Sequence, residues 1–346
     1  MILMRQTIAL FKFVVATSFF FLGLSASAEN PEALSSSRDA QIWLKKIQSA
    51  AQKLNYSGTF VYQQGNQMRT SRITHVLEGK NEIEKLEVLD GKPREYIRTN
   101  DEVICYVPEA KTLLVEKRVT HDVFPAIFAV NPADISEFYS VRMGAVGRVA
   151  GRDCQAVVLE PKDNMRYGYR LWADKTTGLL LRAQTLNDKQ DVIEQIAFTQ
   201  ISIGNVDRSR VKPSFPEASG WRVENAVMSQ ASLSGWAVKS LPPGFRKVRE
   251  VKRLVSDTTP AGAAVSASAA VQITQREVSH LVFSDGLAAI SVFIEPGSQS
   301  RTEGSMQQGA LNIVGKRHGD FWLTIVGELP SAAIRQVANS IEFKSK

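Results

Sequence analysis

Four histidines, two cysteines and a scatter of carboxylates are the side chains best suited to metal binding or acid–base work in this chain. Their spacing argues against both. His75, His121, His280 and His318 stand far apart, with no H-E-x-x-H pair to set two imidazoles on one helix face around zinc. No G-x-S-x-G elbow presents a serine at a strand-to-helix turn, and no C-x-x-C spacing offers a thiol couple. Ser209 and Lys212 have the spacing of a serine–lysine pair. They lie among Asp207, Arg208, Arg210 and Pro213, where nothing would desolvate the lysine. Glu82, Glu84 and Glu87 resemble paired carboxylates, yet strand alternation puts Glu82 and Glu84 on one face, most simply a solvated one. The pattern points to a binding protein rather than an enzyme, with no metal and no cofactor.

The two cysteines, Cys105 and Cys154, stand 49 positions apart. A bridge between them would close a long loop and stabilise the fold by roughly 4 kcal/mol in the chain-entropy model. Spacing alone does not bring two Cβ atoms together. A Cys105–Cys154 disulfide and two separate buried thiols therefore both stay open.

The N-terminus carries an address. Arg5 and Lys12 precede an uncharged apolar run, Phe13 to Leu24, and Ala26-Ser27-Ala28 follows. A basic start, an apolar core of 12 residues and an A-x-A end read as a cleavable secretory signal over residues 1–28. The run is shorter than the ~20 apolar residues of a spanning helix. Glu29, not a cysteine, follows the cut, so a soluble exported product without a lipid anchor is expected. Its net charge falls from +7 to +5, with 40 Lys and Arg against 35 Asp and Glu. That balance suits an acidic partner or an anionic lipid surface and falls short of a nucleic-acid footprint. The 318 residues left exceed the size at which one core usually keeps growing, so two domains are expected.

The elements that must position any site are mostly strands. Ser35-Ser36-Ser37 offers an N-cap to a helix from Arg38 to Leu54, whose apolar stripe holds Trp43, Ile47, Ala50 and Leu54. Short strands follow: Ser57–Gln63, Met68–Leu77, Glu82–Leu89, Arg94–Arg98, Val103–Val107, Thr112–Lys117, Phe138–Arg142, Cys154–Glu160, Tyr167–Ala173, Leu179–Leu186 and Val192–Ile203. The stretch His121 to Val130 breaks the alternation and reads as a short helix or apolar loop. Such an antiparallel meander must curl or close to manage its edges. The fold class is therefore α+β: a curved antiparallel half-barrel around a helix over residues 29–203, then a smaller C-terminal α+β domain over 223–346. Residues 204–222, rich in charge and proline, read as the linker between them. The Ala/Ser/Thr-rich stretch 256–270 reads as a mobile loop inside the second domain.

Several stretches resemble one family. They are Val149-Ala150-Gly151-Arg152-Asp153-Cys154, the run Arg166-Tyr167-Gly168-Tyr169-Arg170-Leu171-Trp172-Ala173-Asp174, Gly178 to Arg182 and Glu194 to Phe198. In the second unit they are Leu241-Pro242-Pro243-Gly244-Phe245, Phe283-Ser284-Asp285-Gly286-Leu287 and Val326-Gly327-Glu328-Leu329-Pro330. In this order they look like the RseB/MucB sigma-factor regulatory proteins. The resemblance implies a first domain similar to the lipoprotein carriers LolA and LolB, with an apolar cavity. It also implies a periplasmic location and a partner, the periplasmic segment of an RseA/MucA-type anti-sigma factor. Binding would shield that segment from regulated proteolysis, and lipopolysaccharide or another acyl lipid would release it. A lipid or lipoprotein carrier is the rival reading, and the second domain weighs against it because a pure carrier would not need one. A homodimer stays open.

Candidate residues follow from these readings. For a lipid cavity they are Trp43, Ile47 and Leu54 on the helix, Phe60 and Tyr62 on the first strand, and Phe124, Ile127 and Phe128 in the apolar insert. For Trp43 and Ile47 ordinary core packing competes with this role. For partner contact they are Lys239, Arg246, Lys247, Arg249, Lys252 and Arg253, set against the alternative of a charged, solvated edge strand. Mass spectrometry of the exported protein should find Glu29 at the N-terminus; a retained signal or a lipidated end would overturn the export reading.

Overall fold

The computed structural model describes residues 31–117, 132–225, 228–230, 235–257, 274–297 and 301–344. The signal segment, the insert with Phe124, Ile127 and Phe128, and the loop stretch beyond residue 257 lie outside the described residues. Helix α1 (Pro31–Lys53) begins earlier than its serine cap predicted. Strands β1 (Tyr56–Gln64), β2 (Gln67–Glu78), β3 (Asn81–Val88), β4 (Arg94–Thr99), β5 (Glu102–Val107) and β6 (Thr112–Lys117) then run as a meander. After helix α2 (Pro132–Phe138) come β7 (Tyr139–Val149), β8 (Arg152–Pro161), β9 (Gly168–Asp174), β10 (Leu180–Leu186) and β11 (Val192–Ile203). The two meanders join where β1 pairs antiparallel with β11, Phe60 opposite Phe198. With β12 (Arg222–Asn225) beside β6 they make one twelve-stranded sheet, ordered β12-β6-β5-β4-β3-β2-β1-β11-β10-β9-β8-β7.

Helix α1 supplies what this curved sheet wraps. Ala40, Leu44 and Ile47 pack with Ile135, Tyr139, Val157, Leu159 and Leu171 in one core cluster. Ala50 packs with Tyr56, Phe60, Ile73, Leu181 and Phe198 in the next. Fully burying each large side chain of this kind contributes roughly 1.5–3 kcal/mol, so the 3.6-residue stripe read from the sequence is what fastens helix to sheet. Strand β7 extends past its predicted end at Arg142 to Val149, with an irregularity between Met143 and Val146. Its Gly144, Ala145 and Gly147 hide the alternation on which the prediction relied.

The second domain holds β13 (Met228–Gln230), β14 (Trp236–Val238), β15 (Arg246–Asp257), β16 (Thr274–Ser284), β17 (Ala289–Pro296), β18 (Gly304–Gln308), β19 (Leu311–His318), β20 (Phe321–Gly327), helix α3 (Ser331–Asn339) and β21 (Ile341–Phe343). A seven-stranded sheet, ordered β13-β15-β16-β17-β20-β19-β18, packs against α3 through Ile290, Leu323, Ile325, Ile334 and Val337. Ser256 and Asp257, expected to open the mobile loop, are the last residues of β15.

The stretch read as a linker is strapped to the first sheet. Lys85, only 2% exposed, donates to Lys212 O and Ser214 Oγ and pairs with Glu95 at 3.1 Å. Glu95 accepts from Ser214 N. Phe215 and Trp221 pack with Tyr106, and β12 continues the strap in parallel with β6. Residues 223–225, assigned by sequence to the second domain, thus belong to the first sheet. Composition resembled a linker because the strap is held by backbone groups and one buried lysine rather than by an apolar repeat.

One reading left open is decided, and one expectation is corrected. Cys105 and Cys154 are free thiols. Cys105 lies on β5 and Cys154 on β8, with seven strands between them at about 4.8 Å spacing, so the bridge left open by spacing does not form. Glu82 and Glu84 do not face solvent. Arg98, 7% exposed, bonds Glu82 at 2.5 Å and lies 3.5 Å from Glu84. His75, fully buried and stacked on Tyr56, lies 3.3 Å from Glu82. His75 and Arg98 hold the Glu82 carboxyl down to about 2, while burial raises Glu84.

The two domains are joined through Arg166, in the loop before β9. Its side chain has no exposure. It bonds Asp285 Oδ2 at 2.6 Å and Pro243 O at 2.6 Å, both in the second domain, and Asp163 in its own loop. Phe138, Tyr139 and Phe245 flank the guanidinium. Asp285 Oδ1 accepts from Leu287 N and Ala288 N, so the pair is satisfied on both sides. Gly244 (φ +82°) lies so close that a Cβ there would collide with the Phe138 ring.

Alkylation under denaturing, non-reducing conditions should label both cysteines; an unlabelled pair would restore the bridge. Asp285→Asn strands a buried guanidinium and should cost about 3–5 kcal/mol. Thermal unfolding should show this as a large fall in Tm, with Asp163→Asn, on a more exposed partner, costing less. Equal, small losses would show that the pair does not hold the domains.

Candidate functional site

A cleft of 680 Å³ opens beside this joint. Lys162, Asn164, Tyr167, Asn187, Gln190 and Ile193 line it from the first domain, and Gln307, Pro330 and Ser331 from the second. Its walls mix these amides and hydroxyls with charged groups, the carboxylates of Glu160, Asp163 and Asp188 and the cations of Lys162 and Arg166. The Tyr167 hydroxyl accepts from Asn312 Nδ2 at 3.2 Å, and the same amide donates to Leu329 O at 2.8 Å. On the adjoining side, Glu194 accepts from Gln64 Nε2, from Ala310 N and from the Tyr62 hydroxyl. Burial raises the Glu194 carboxyl. A second hollow of 360 Å³, lined by Gln63, Asn66, Ile193 and Gly309, lies there.

The residues that make this joint come from the stretches that carried the family resemblance: Arg166 and Tyr167, Pro243 and Gly244, Asp285, and Leu329. The sequence marked them as distinctive without showing that they meet. Arg166 stands next to a turn, and no periodicity distinguishes a buried arginine there from a solvated one.

The lipid-cavity candidates divide between the two core clusters. Ile47 is buried, and Trp43 packs beside it at the first cluster's edge under Lys46. Phe60 is buried edge-on to Phe198 in the second cluster, with Leu54 and Tyr62 at its margin. Tyr62 also reaches the joint through Glu194. The remaining three, Phe124, Ile127 and Phe128, lie outside the described residues.

Most of the basic candidates have partners within the chain. Lys239 pairs with Glu342, Lys247 with Glu250, and Lys252 with Glu277. Arg249 crosses to the first domain and bonds Glu116 at 3.0 Å, a second tie between the domains. Arg246 is exposed, and Arg253 continues β15 opposite Met228. The row is therefore a paired sheet strand with one cross-domain bridge.

Among the described residues no histidine lines the cleft. His75 is enclosed with Glu82, His280 stacks on Phe293, and His318 lies by Trp236. Ser209 and Lys212 are exposed on the strap. Among the described residues no group of three His, Cys, Asp or Glu could hold a metal ion. Among the same residues no helix is long and apolar enough to cross a membrane. What the cleft can offer is hydrogen bonding and charge pairing to a polar, extended ligand.

Residues 39–215 match the MucB/RseB N-terminal domain, and residues 230–342 the MucB/RseB C-terminal domain. The chain is 30% identical to the sigma factor AlgU regulatory protein MucB of Pseudomonas aeruginosa, over 88% of this chain and 90% of that one. It is 26% identical to the sigma-E factor regulatory protein RseB of Haemophilus influenzae, over 96% of this chain and 98% of that one. Two solved structures are similar throughout. The crystal structure of MucB in complex with MucA(peri) aligns at TM-score 0.65 and 27% identity, covering 89% of this chain and 100% of that one. The Pseudomonas aeruginosa MucA/MucB complex aligns at TM-score 0.67 and 28% identity, with the same coverage. Two family matches in order, over both domains and the joint between them, place this chain in the MucB/RseB family.

Proposed function

We propose that this protein is a non-enzymatic negative regulator of envelope-stress transcription, acting in the periplasm. It binds the periplasmic segment of a membrane anti-sigma factor and keeps regulated proteases from it. The observation that carries this reading is the whole-length likeness to MucB as solved with MucA(peri), in a chain whose two domains are locked by buried groups. Relatives matched over both domains are named as regulatory proteins. A cleft lined by amides, hydroxyls and charged side chains supports an extended polypeptide as ligand better than an acyl chain.

Release by lipopolysaccharide or another acyl lipid belongs to the same proposal and sets a thermodynamic condition. The lipid must bind the free form better than the complexed one, since equal affinities shift nothing. A hundredfold preference, about 2.7 kcal/mol, would free a good part of the complex.

The test is digestion of the cognate anti-sigma periplasmic segment by its processing protease, with and without this protein at saturation. Digestion should slow several-fold, and added lipopolysaccharide should restore the rate. Equal rates with and without the protein would reject the regulator and leave the lipid carrier in front.

A further inference from the structure

Strand β18 ends the second sheet with an open edge. It pairs with β19 through a two-residue hairpin loop, Gly309-Ala310, with Gly309 at φ +57°. A glycine of positive φ at the first loop position is the chemistry of a type II′ turn, in which the flanking residues form a hydrogen-bonded pair. Gln308 and Leu311 are that pair. Counting back along an antiparallel ladder, Met306 and Gly304 also spend their N–H and C=O on β19, whereas Ser305 and Gln307 turn theirs outward. Among the described residues nothing meets those outward groups.

The other edges of the two large sheets are guarded. β7 is irregular at Met143–Val146 and is packed by α1 and α2. β12 is four residues long and carries the Arg222–Glu224 ion pair. β13 has three residues. Short length, charge, proline and bulges are the usual ways of keeping a sheet edge from pairing with another chain. β18 has none of the last three: Gly304-Ser305-Met306-Gln307-Gln308 is uncharged, lacks proline, pairs in unbroken register, and is exposed over its first four residues.

The edge also leads somewhere. A 170 Å³ pocket lined by Ser305, Gln307, Val314, Ser331 and Arg335 opens beside it, and Gln307 and Ser331 are shared with the interdomain cleft. We infer that β18 is the docking edge for the anti-sigma segment, which adds as an extended strand hydrogen-bonded to the backbone of Ser305 and Gln307 and continues into the cleft. The inference rests on the regulator reading above and specifies its binding mode, β-strand addition. Five residues of strand give about 17 Å of edge, which suits one short extended stretch. A second folded copy fits this edge less well, because its Gln308 end abuts the first domain, where Gln308 donates to Gln67.

Proline distinguishes this from side-chain recognition. Gln307→Pro removes an outward N–H and leaves the β19 ladder intact, whereas Gln307→Ala removes the side chain and keeps the backbone. Titration of the full mature chain with the periplasmic region of the anti-sigma factor from the same genome should give at least tenfold weaker binding for Gln307→Pro. Ser305→Pro should behave alike, and Gln307→Ala, which also takes a side chain from the cleft wall, should lose several-fold less than Gln307→Pro. Hydrogen exchange on the unmutated protein reads the same contact without any variant: the Ser305 and Gln307 amides should exchange fast when free and be protected in the complex. Unprotected amides in a formed complex, or proline variants that bind as well as the parent, would overturn the edge while sparing the regulator. A dimer of the parent chain that Gln307→Pro dissolves would also overturn it, by giving the edge to a second copy. No binding by the parent chain would instead sink the regulator reading itself.

Discussion

A guanidinium cannot shed its charge, so an arginine with no exposure must be matched donor for donor. Arg166 is matched by groups from both domains: a carboxylate and a backbone carbonyl of the second, a carboxylate of the first. Everything that defines the cleft depends on this pairing. Tyr167, its neighbour, reaches Asn312; Asn312 holds Leu329, and Leu329 leads into the N-terminus of α3. Typical domain pairs within one chain move relative to each other unless the interface is large and apolar. Here buried polar groups share that holding with Leu287, packed into the first domain's core, and Met165, packed against the second's. Such groups are costly to leave half-paired, so the docked arrangement is strongly preferred over a slightly opened one.

The connector between the domains works with the joint. Lys85 is buried against backbone and hydroxyl groups of the strap, and β12 extends the first sheet by one parallel strand. The covalent path therefore leaves the first sheet at β12, close to where Arg249 of the second domain bonds Glu116 of β6. Arg166 and Arg249 thus tie the domains at two separate places. A ligand in the cleft meets walls whose spacing is already set, which lowers the ordering cost of binding an extended chain.

The first domain shows why a resemblance to lipid carriers does not by itself locate a ligand. Trp43, Ile47, Leu54, Phe60 and Tyr62 are apolar enough to line a cavity, but each packs with a core cluster that holds α1 in the sheet. Apolar periodicity marks the faces that must be buried and does not distinguish burial against protein from burial against lipid. The basic strand tells a similar story. Lys247, Arg249 and Lys252 looked free in sequence because their acids, Glu250, Glu116 and Glu277, lie mostly on other elements.

By itself, the sequence determined the elements with strong local signals. The α1 stripe and the Val192–Ile203 strand follow from apolar period, which acts within a few residues. It also marked, through ordered family stretches, the residues of the joint. Only the tertiary structure decided that Arg166 and Asp285 form one buried pair, that Glu82 and Glu84 enclose Arg98 and His75, and that the strap belongs to the first sheet. It alone separated Cys105 from Cys154 by seven strands and left the outer side of β18 without a neighbouring strand among the described residues. These are statements about neighbours far apart in the chain. A polar side chain carries no local mark of whether it will meet water or a partner, because its burial is set by which strands the sheet brings beside it.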